Sequence, residues 1–121
     1  KRREKAGESE VMNIIGDVKN KTCILLDDIV DSAGTLCNAA EALKQHGALE
    51  IYSYIAHGVL SGNAIERIQK SSIVELVLTD SIEASNSLKK LEKIRHISIA
   101  PLMGEAIKRI NSDSSVSALF D

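Results

Sequence analysis

Nine consecutive residues, 27–35, combine three carboxylates with small and hydroxylated side chains. They are Asp27, Asp28, Ile29, Val30, Asp31, Ser32, Ala33, Gly34 and Thr35. The small side chains let the backbone approach a phosphate closely, and the two hydroxyls add hydrogen-bond donors. Ionised carboxylates repel phosphate, but they accept hydrogen bonds from sugar hydroxyls or bind a divalent cation. The combination predicts a site for a polyhydroxylated sugar that carries a phosphate.

The surroundings of these nine residues are those of a ligand-binding loop in an α/β protein. The apolar run at residues 23–26 precedes them, and a helical pattern follows. In a mostly parallel sheet, ligands bind beyond the carboxyl ends of the strands, where the next helix presents its free backbone N–H groups. We therefore expect residues 31–35 to hold the phosphate, and the three acids to contact the sugar. A simpler alternative is that Asp27 ends the strand and Asp31 caps the helix.

Apolar stretches alternate with helical patterns along the whole chain. Apolar and β-branched runs predict strands at residues 11–18, 22–26, 51–56, 75–79 and 96–99. The first two strands flank a polar turn at residues 19–21. This order predicts an α/β fold with a mostly parallel sheet and helices on both faces.

Three helices are predicted between and after these strands. The first ends at Gly47, the second starts with a capping box of Asn63 and Glu66, and the third follows Pro101. The last helix carries one apolar face, made by Met103, Ala106, Ile107 and Ile110. Residues 81–95 are the most loop-like or weakly helical part of the chain, and residues 111–117 look similarly irregular.

Composition limits the classes of function. The chain has 121 residues, 44% of them hydrophobic, which is enough for one core but not for two domains. The formal net charge of −2, with two Tyr, one Phe and no Trp, argues against nucleic-acid or anionic-membrane binding. No apolar run approaches the roughly 18 residues of a membrane helix, so we expect a cytoplasmic protein. Cys23 and Cys37 lack a metal-binding spacing and are expected to be buried free thiols.

Residues 27–35 resemble the phosphoribosyl-pyrophosphate (PRPP) loop of type I phosphoribosyltransferase-like proteins. The further acid, Asp31, is similar to the version in the ribose-phosphate pyrophosphokinase (PRPP synthetase) family. Four other segments resemble motifs of the same family. They are the basic triplet at residues 1–3, the strand at 10–16, the His-x-x-x-Ser-Gly pattern at 57–62 and the tail at 115–121. The resemblance extends from the first residue to the last.

The resemblance implies a type I phosphoribosyltransferase-like fold that lacks its first strand and helix. The chain starts without Met, inside the basic motif, whereas family members are much longer. Residues 1–121 are then expected to be one domain, the ribose 5-phosphate-binding C-terminal portion. The absent N-terminal domain would hold most of the ATP site and the magnesium-binding His and Asp.

The activity implied by the resemblance is transfer of the diphosphoryl group of ATP to O1 of ribose 5-phosphate, giving PRPP and AMP. The 121-residue chain alone is expected to be inactive. Lys1 and Arg3 match catalytic positions, where they would offset the charge that develops during phosphoryl transfer. The ribose 5-phosphate-binding residues would be Arg3, Asp27, Asp28, Asp31, Ser32, Ala33, Gly34 and Thr35.

The resemblance also implies cofactors and partners. Mg²⁺ would act with ATP as co-substrate, although no metal ligand is assigned within this chain, and phosphate would be an activator. The full-length proteins would form a homo-oligomer, a hexamer. Ser115, Ser117 and Phe120 match a tail that lies in subunit contacts near a regulatory nucleotide site.

Other residues and other function classes stay open at this point. His57 is expected to be a hydrogen-bonded structural residue, whereas Thr79 and Asp80 could line the site or only end a strand. Glu4 and Gly58 stand where the family often has Pro, which predicts more flexible loops.

The alternatives to a synthetase are a PRPP-dependent nucleobase phosphoribosyltransferase, a non-catalytic regulatory relative and a phosphoacceptor signalling domain. Asp31 and the tail disfavour the first, and Lys1 with Arg3 disfavours the second. Ala100 stands before Pro101 where the third needs a Lys.

Overall fold

A computed structural model of the chain describes residues 13–121, in which strands and helices alternate. The elements are β1 (Thr22–Val30), α1 (Gly34–Gln45), β2 (Glu50–Gly58), α2 (Ala64–Lys70), β3 (Ile73–Thr79), α3 (Asn86–Lys89), β4 (Ile94–Ile97), α4 (Ala100–Asn111) and a final 3₁₀ turn (Ser117–Phe120). The strands form one parallel sheet in the order β1-β2-β3-β4. The predicted α/β fold with a parallel sheet is confirmed.

The core lies on one face of this sheet. Along β2, Ile51, Ser53 and Ile55 are buried, whereas Tyr54 between them is 40% exposed. The first three helices each bury an apolar residue in the same two core clusters. Right-handed crossovers between sequential, adjacent parallel strands all lie on one side, which explains why these helices share a face. The prediction of helices on both faces is therefore not met by α1, α2 and α3. On the other face, Leu26 is 76% exposed.

The predicted end of α1 at Gly47 is confirmed in detail. Gly47 has φ of +93°, the left-handed conformation that glycine adopts most easily. Its amide donates to Lys44 O at 3.0 Å, and the Ala48 amide donates to Leu43 O at 3.1 Å. This pair of bonds is a Schellman motif, which satisfies the last carbonyls of the helix.

The predicted strand at residues 11–18 is wrong over the part that the structure describes. Residues 13–18 form no strand, and Ile15 is 99% exposed. Within the described sheet β1 pairs only with β2, so residues 13–18 do not add a strand to its open edge. The turn at residues 19–21 does form, with a bond of 3.1 Å from the Lys21 amide to Val18 O.

Two further predictions were only partly right. A helix follows Asn63, but the capping box is wrong, because no side chain caps α2 and Glu66 pairs with Lys70 at 2.7 Å. The last strand is displaced by two residues, ending at Ile97. The Ile99 amide donates to the Asp80 carboxylate at 2.8 Å, which draws the chain out of the sheet toward α4.

The last helix forms as predicted, with Pro101 in its first turn. Its apolar face is present but not packed, since Met103, Ile107 and Ile110 are 50%, 63% and 66% exposed. Within residues 13–121, no helix has both the length and the apolarity needed to cross a membrane.

Candidate functional site

The acidic pair of the loop lies inside β1 rather than beyond its end. The prediction that β1 stops at Leu26 was wrong, because the strand continues in register with β2 until Val30 pairs with Gly58. Asp27 and Asp28 are both exposed and, as successive strand residues, point to opposite faces of the sheet. The Asp28 amide also donates to the Asp27 carboxylate at 2.8 Å. Asp31 is the first residue beyond the strand.

The segment between β2 and α2 hydrogen-bonds to Val30 and Asp31 in the middle of the loop. Val30 O accepts hydrogen bonds from the amides of Val59 and Leu60, at 2.9 and 3.3 Å. Asp31 O accepts from the Ser61 amide at 3.1 Å, and the Ser61 hydroxyl donates to the Asp31 carboxylate. Two neighbouring connections at the carboxyl edge of the sheet are therefore joined residue by residue.

The same pattern continues into the first turn of α1. Ser32 O accepts from Nη1 of Arg67 at 2.9 Å, and Ala33 O accepts from the Cys37 amide at 3.0 Å. The carbonyl oxygens of four successive residues, 30–33, are thus all occupied. An anion that approaches this loop does not meet a free carbonyl dipole there.

Unlike these carbonyl oxygens, the amide N–H groups of Ser32, Ala33, Gly34 and Thr35 have no hydrogen-bond partner among the described residues. Ala33, the N-cap of α1, has φ of +66°, and no side chain caps the helix, so the alternative in which Asp31 is the cap is wrong. Free amides at a helix start form a favourable site for an anion.

The space beside Gly34 remains open. A Cβ atom at this position would have only ordinary contacts, 4.0 Å from Nη1 of Arg67 and from Oγ of Ser32. The fold itself therefore does not require glycine at residue 34. A ligand that approaches the backbone closely would give a reason for glycine at this position.

Residues at the ends of β2 and β3 have structural partners. Nδ1 of His57 lies 2.7 Å from Oγ of Ser81, which confirms the expected hydrogen bond. The Thr79 hydroxyl donates to Ala56 O. Asp80 accepts from the Ile99 amide, and this bond, with the Ser98 hydroxyl, lowers the pKa of the Asp80 carboxyl. These contacts favour the alternative in which Thr79 and Asp80 end a strand.

Comparison with known proteins identifies the family. Residues 3–121 match the family described as the phosphoribosyl synthetase-associated domain. The chain belongs to this family. It is 64% identical over all 121 residues to a ribose-phosphate pyrophosphokinase of Caulobacter vibrioides (strain NA1000 / CB15N), and 57% identical to that of Rhizobium meliloti (strain 1021). The chain spans 39% of the length of each of these relatives.

A solved structure shares the phosphoribosyl synthetase fold seen here. It is the crystal structure of a phosphoribosylpyrophosphate synthetase from Mycobacterium smegmatis, with a TM-score of 0.78 and 34% sequence identity. The match covers 83% of this chain and 33% of that one. The resemblance inferred from the PRPP loop is therefore confirmed for the family and the fold.

The family resemblance also suggested two groups of residues at the ends of the chain, and the structure describes only the second of them. Lys1 and Arg3, the expected catalytic residues, lie outside the described residues. In the tail, the Ser115 and Ser117 hydroxyls are 3.0 Å apart, and Arg109 donates to Ser115 O at 3.0 Å. Phe120 is 72% exposed, so its ring is available to a neighbouring surface.

Neither a metal cluster nor a disulfide occurs in the described part of this family member. Residues 13–121 contain no group of three or more His, Cys, Asp or Glu side chains arranged to hold a metal ion. Cys23 and Cys37 are free, but both are only half-buried, so the prediction that they are buried is wrong. Partial burial still raises the pKa of the Cys37 thiol.

Sequence reasoning missed the residues that support the loop. Ser61 lies in the family-like segment 57–62, but neither Ser61 nor Arg67 was predicted to contact the loop. Arg67 is 35 positions from the residue it contacts, and a single Arg on a short helix carries no local signal. Only the parallel pairing of β1 with β2 brings these connections together.

Proposed function

We propose that this chain is the ribose 5-phosphate-binding portion of a ribose-phosphate diphosphokinase. The enzyme would transfer the diphosphoryl group of ATP to O1 of ribose 5-phosphate, giving PRPP and AMP. The observation that carries this proposal is the row of amides at residues 32–35, which find no acceptor among residues 13–121 and directly follow three carboxylates. The family and the printed names of its relatives supply the reaction.

The proposed binding mode follows from the contacts of the loop. Residues 31–35 hold the 5-phosphate, chiefly through backbone N–H groups, with the Ser32 and Thr35 hydroxyls as further donors. One carboxylate of the acidic pair, Asp27 or Asp28, accepts hydrogen bonds from the ribose 2- and 3-hydroxyls, because the two side chains point to opposite faces of the sheet and the sugar lies on one of them. The sugar O1 hydroxyl itself is the nucleophile, so the protein forms no covalent intermediate.

Positioning and charge neutralisation are the main protein contributions to phosphoryl transfer. We assign the neutralising role to Lys1 and Arg3, with Arg3 also binding substrate. Mg²⁺, when bound with ATP, neutralises phosphate charge and orients the reacting groups. As the family resemblance implies, we assign the protein ligands of Mg²⁺ to the part of the full-length protein outside this chain.

The partners of the full-length protein are proposed from the same family. It would act on ribose 5-phosphate and ATP as a cytoplasmic homo-oligomer, a hexamer, with phosphate as an activator. Ser115, Ser117 and Phe120 would contribute to a subunit contact near a regulatory nucleotide site. The high exposure of Phe120 is compatible with this role.

A chimera provides the sharpest test of activity. The 121 residues replace the matching segment of the Caulobacter vibrioides enzyme, and AMP formation from ATP and ribose 5-phosphate is measured. We expect an active chimera, and no PRPP formation by the 121-residue chain alone. An inactive chimera that still folds and binds ribose 5-phosphate would favour a non-catalytic relative. PRPP-dependent ribosylation of a nucleobase would favour the phosphoribosyltransferase alternative.

Binding can be tested on the chain itself. In ¹⁵N-labelled protein titrated with ribose 5-phosphate, the largest amide shifts are expected at residues 32–35. Ribose without phosphate should leave these amides unshifted. Shifts confined to other regions would contradict the assignment of the loop.

A further inference from the structure

Arg67 connects α2 to the loop at residues 27–35. Its Nη1 atom donates to Ser32 O at 2.9 Å and would lie 4.0 Å from a Cβ atom placed on Gly34. Of the basic side chains in residues 13–121, it is the one that hydrogen-bonds to the backbone of this loop. The guanidinium therefore lies directly beside the start of α1.

This single bond fixes the direction of an amide. The C=O of Ser32 and the N–H of Ala33 belong to one peptide unit, and the described peptide bonds are all trans. In a planar trans peptide these two groups point in opposite directions. Holding Ser32 O toward Arg67 therefore holds the Ala33 N–H in the opposite direction, away from the guanidinium.

Ala33 particularly needs such support. Its left-handed conformation, with φ of +66° and ψ of 8°, costs an L-residue with a side chain roughly 1–2 kcal/mol. A charge-assisted hydrogen bond from a guanidinium is stronger than one between neutral groups. The Arg67 bond thus stabilises a conformation that the loop sequence alone disfavours.

The charge of Arg67 also matters beside this loop. Asp27, Asp28 and Asp31 place three carboxylates next to the proposed position of a phosphate. A guanidinium at the edge of the loop partly offsets their repulsion of a second anion.

Resting on the proposed function, we propose that Arg67 is a positioning residue for the 5-phosphate of the substrate. It acts through Ser32 and Ala33, fixing the amide that binds phosphate, without itself contacting the reacting atoms. A Lys at this position would keep the charge but not the planar fork, so it should restore only part of the effect.

The test compares Arg67→Met, Arg67→Lys and the control Lys70→Met in the active chimera. Lys70 lies one turn further along α2 and pairs with Glu66 instead of the loop. Removing a charge-assisted bond should raise KM for ribose 5-phosphate by about tenfold to a hundredfold in Arg67→Met. KM for ATP should stay within about twofold, since the proposed binding mode places only ribose 5-phosphate at this loop. Arg67→Lys should be intermediate and Lys70→Met unchanged. Unchanged KM in Arg67→Met, or equal rises for both substrates, would overturn the proposal.

A second measurement separates this inference from the proposed activity. In the ¹⁵N-labelled 121-residue chain, the Kd for ribose 5-phosphate is read from the Ala33 amide shift. We expect it to rise about tenfold or more in Arg67→Met but not in Lys70→Met. Equal Kd values in parent and Arg67→Met would overturn the positioning role even if the chimera is active. If the parent chain and chimera both fail to bind ribose 5-phosphate, both proposals fail.

Discussion

The Ser61 hydroxyl donates a hydrogen bond to the Asp31 carboxylate, and the Ser61 amide donates to the Asp31 carbonyl oxygen at 3.1 Å. One residue of the β2–α2 connection therefore fixes both the backbone and the side chain of the last acid in the loop. The carboxylate bonds to Ser61 rather than to the amides at residues 32–35. Those amides stay available to an anion.

Removing this hydroxyl should weaken substrate binding. In Ser61→Ala, the Asp31 carboxylate is free to turn toward the loop amides and compete with phosphate. Loss of one such bond should raise the Kd for ribose 5-phosphate about threefold to tenfold, measured by titration calorimetry on the 121-residue chain. The matched control is Ser72→Ala, which removes a serine–carboxylate bond of 3.0 Å to Glu41, away from the loop. Equal effects of the two variants would contradict the role of Ser61.

Gly34→Val should separate the two substrates. The added Cβ meets no protein atom closer than 4.0 Å, so the fold should tolerate it, but the side chain would occupy the approach to the amides. We expect a rise in KM for ribose 5-phosphate in the chimera that is far larger than the rise for ATP. Gly104→Val on α4, where a Cβ has no neighbour within 4 Å, is the control. Equal changes for the two substrates would count against phosphate binding at residues 31–35.

Local patterns in the sequence predicted most of the elements but not their partners. Gly47 marks the end of α1 through its own backbone conformation, so a local rule was sufficient. Residues 13–18 have an apolar pattern like a strand, yet a strand also needs a neighbour, and local sequence does not show which neighbour is present. The same limit explains why β1 was predicted four residues too short, since its last residues are held by pairing with β2.

The site was predictable to a similar extent. The residue types at 27–35 predicted a sugar-phosphate loop, because glycine, hydroxyls and acids have chemistry that depends little on context, and its sugar-phosphate binding stays a prediction. The support from Ser61 and Arg67 was not predictable, since these residues are distant in sequence and approach the loop only in the folded sheet. The position of Asp28 on the opposite face from Asp27 likewise became visible only when the strand register was known.

The side chain of Leu78 leaves no room for a Cβ atom at Gly58. Gly58 pairs with Val30 at the end of β2, and a Cβ atom there would lie 2.5 Å from Cδ1 of Leu78. Gly58→Ala should therefore lower the free energy of unfolding by about 1–3 kcal/mol, measured by urea denaturation.

A double variant tests whether Leu78 causes this loss. Leu78→Val shortens the side chain that the new methyl group would meet, so Gly58→Ala/Leu78→Val should be less destabilised than the sum of the single variants. Additive losses would show that the Leu78 contact is not the reason for glycine at residue 58.

The Asp80 carboxylate should make stability depend on acid pH. The Ile99 amide, followed by the Ser98 hydroxyl, lowers the pKa of Asp80 below its ordinary 3.8. The folded state then binds fewer protons than the unfolded state, so this stabilisation is present above pH 3.8 and is lost as the pH falls through the folded-state pKa. Asp80→Asn keeps an oxygen acceptor for the Ile99 amide but does not titrate.

The measurement is the free energy of unfolding at a series of acid pH values. Parent protein should lose stability toward low pH more steeply than Asp80→Asn, because only the parent protonates a bonded carboxylate. Glu83→Gln is the control, since it removes an exposed carboxylate that makes no hydrogen bond to the residues the structure describes. This control should retain the parent slope. The same slope in parent and Asp80→Asn would mean that the bond from the Ile99 amide does not favour the ionised carboxylate.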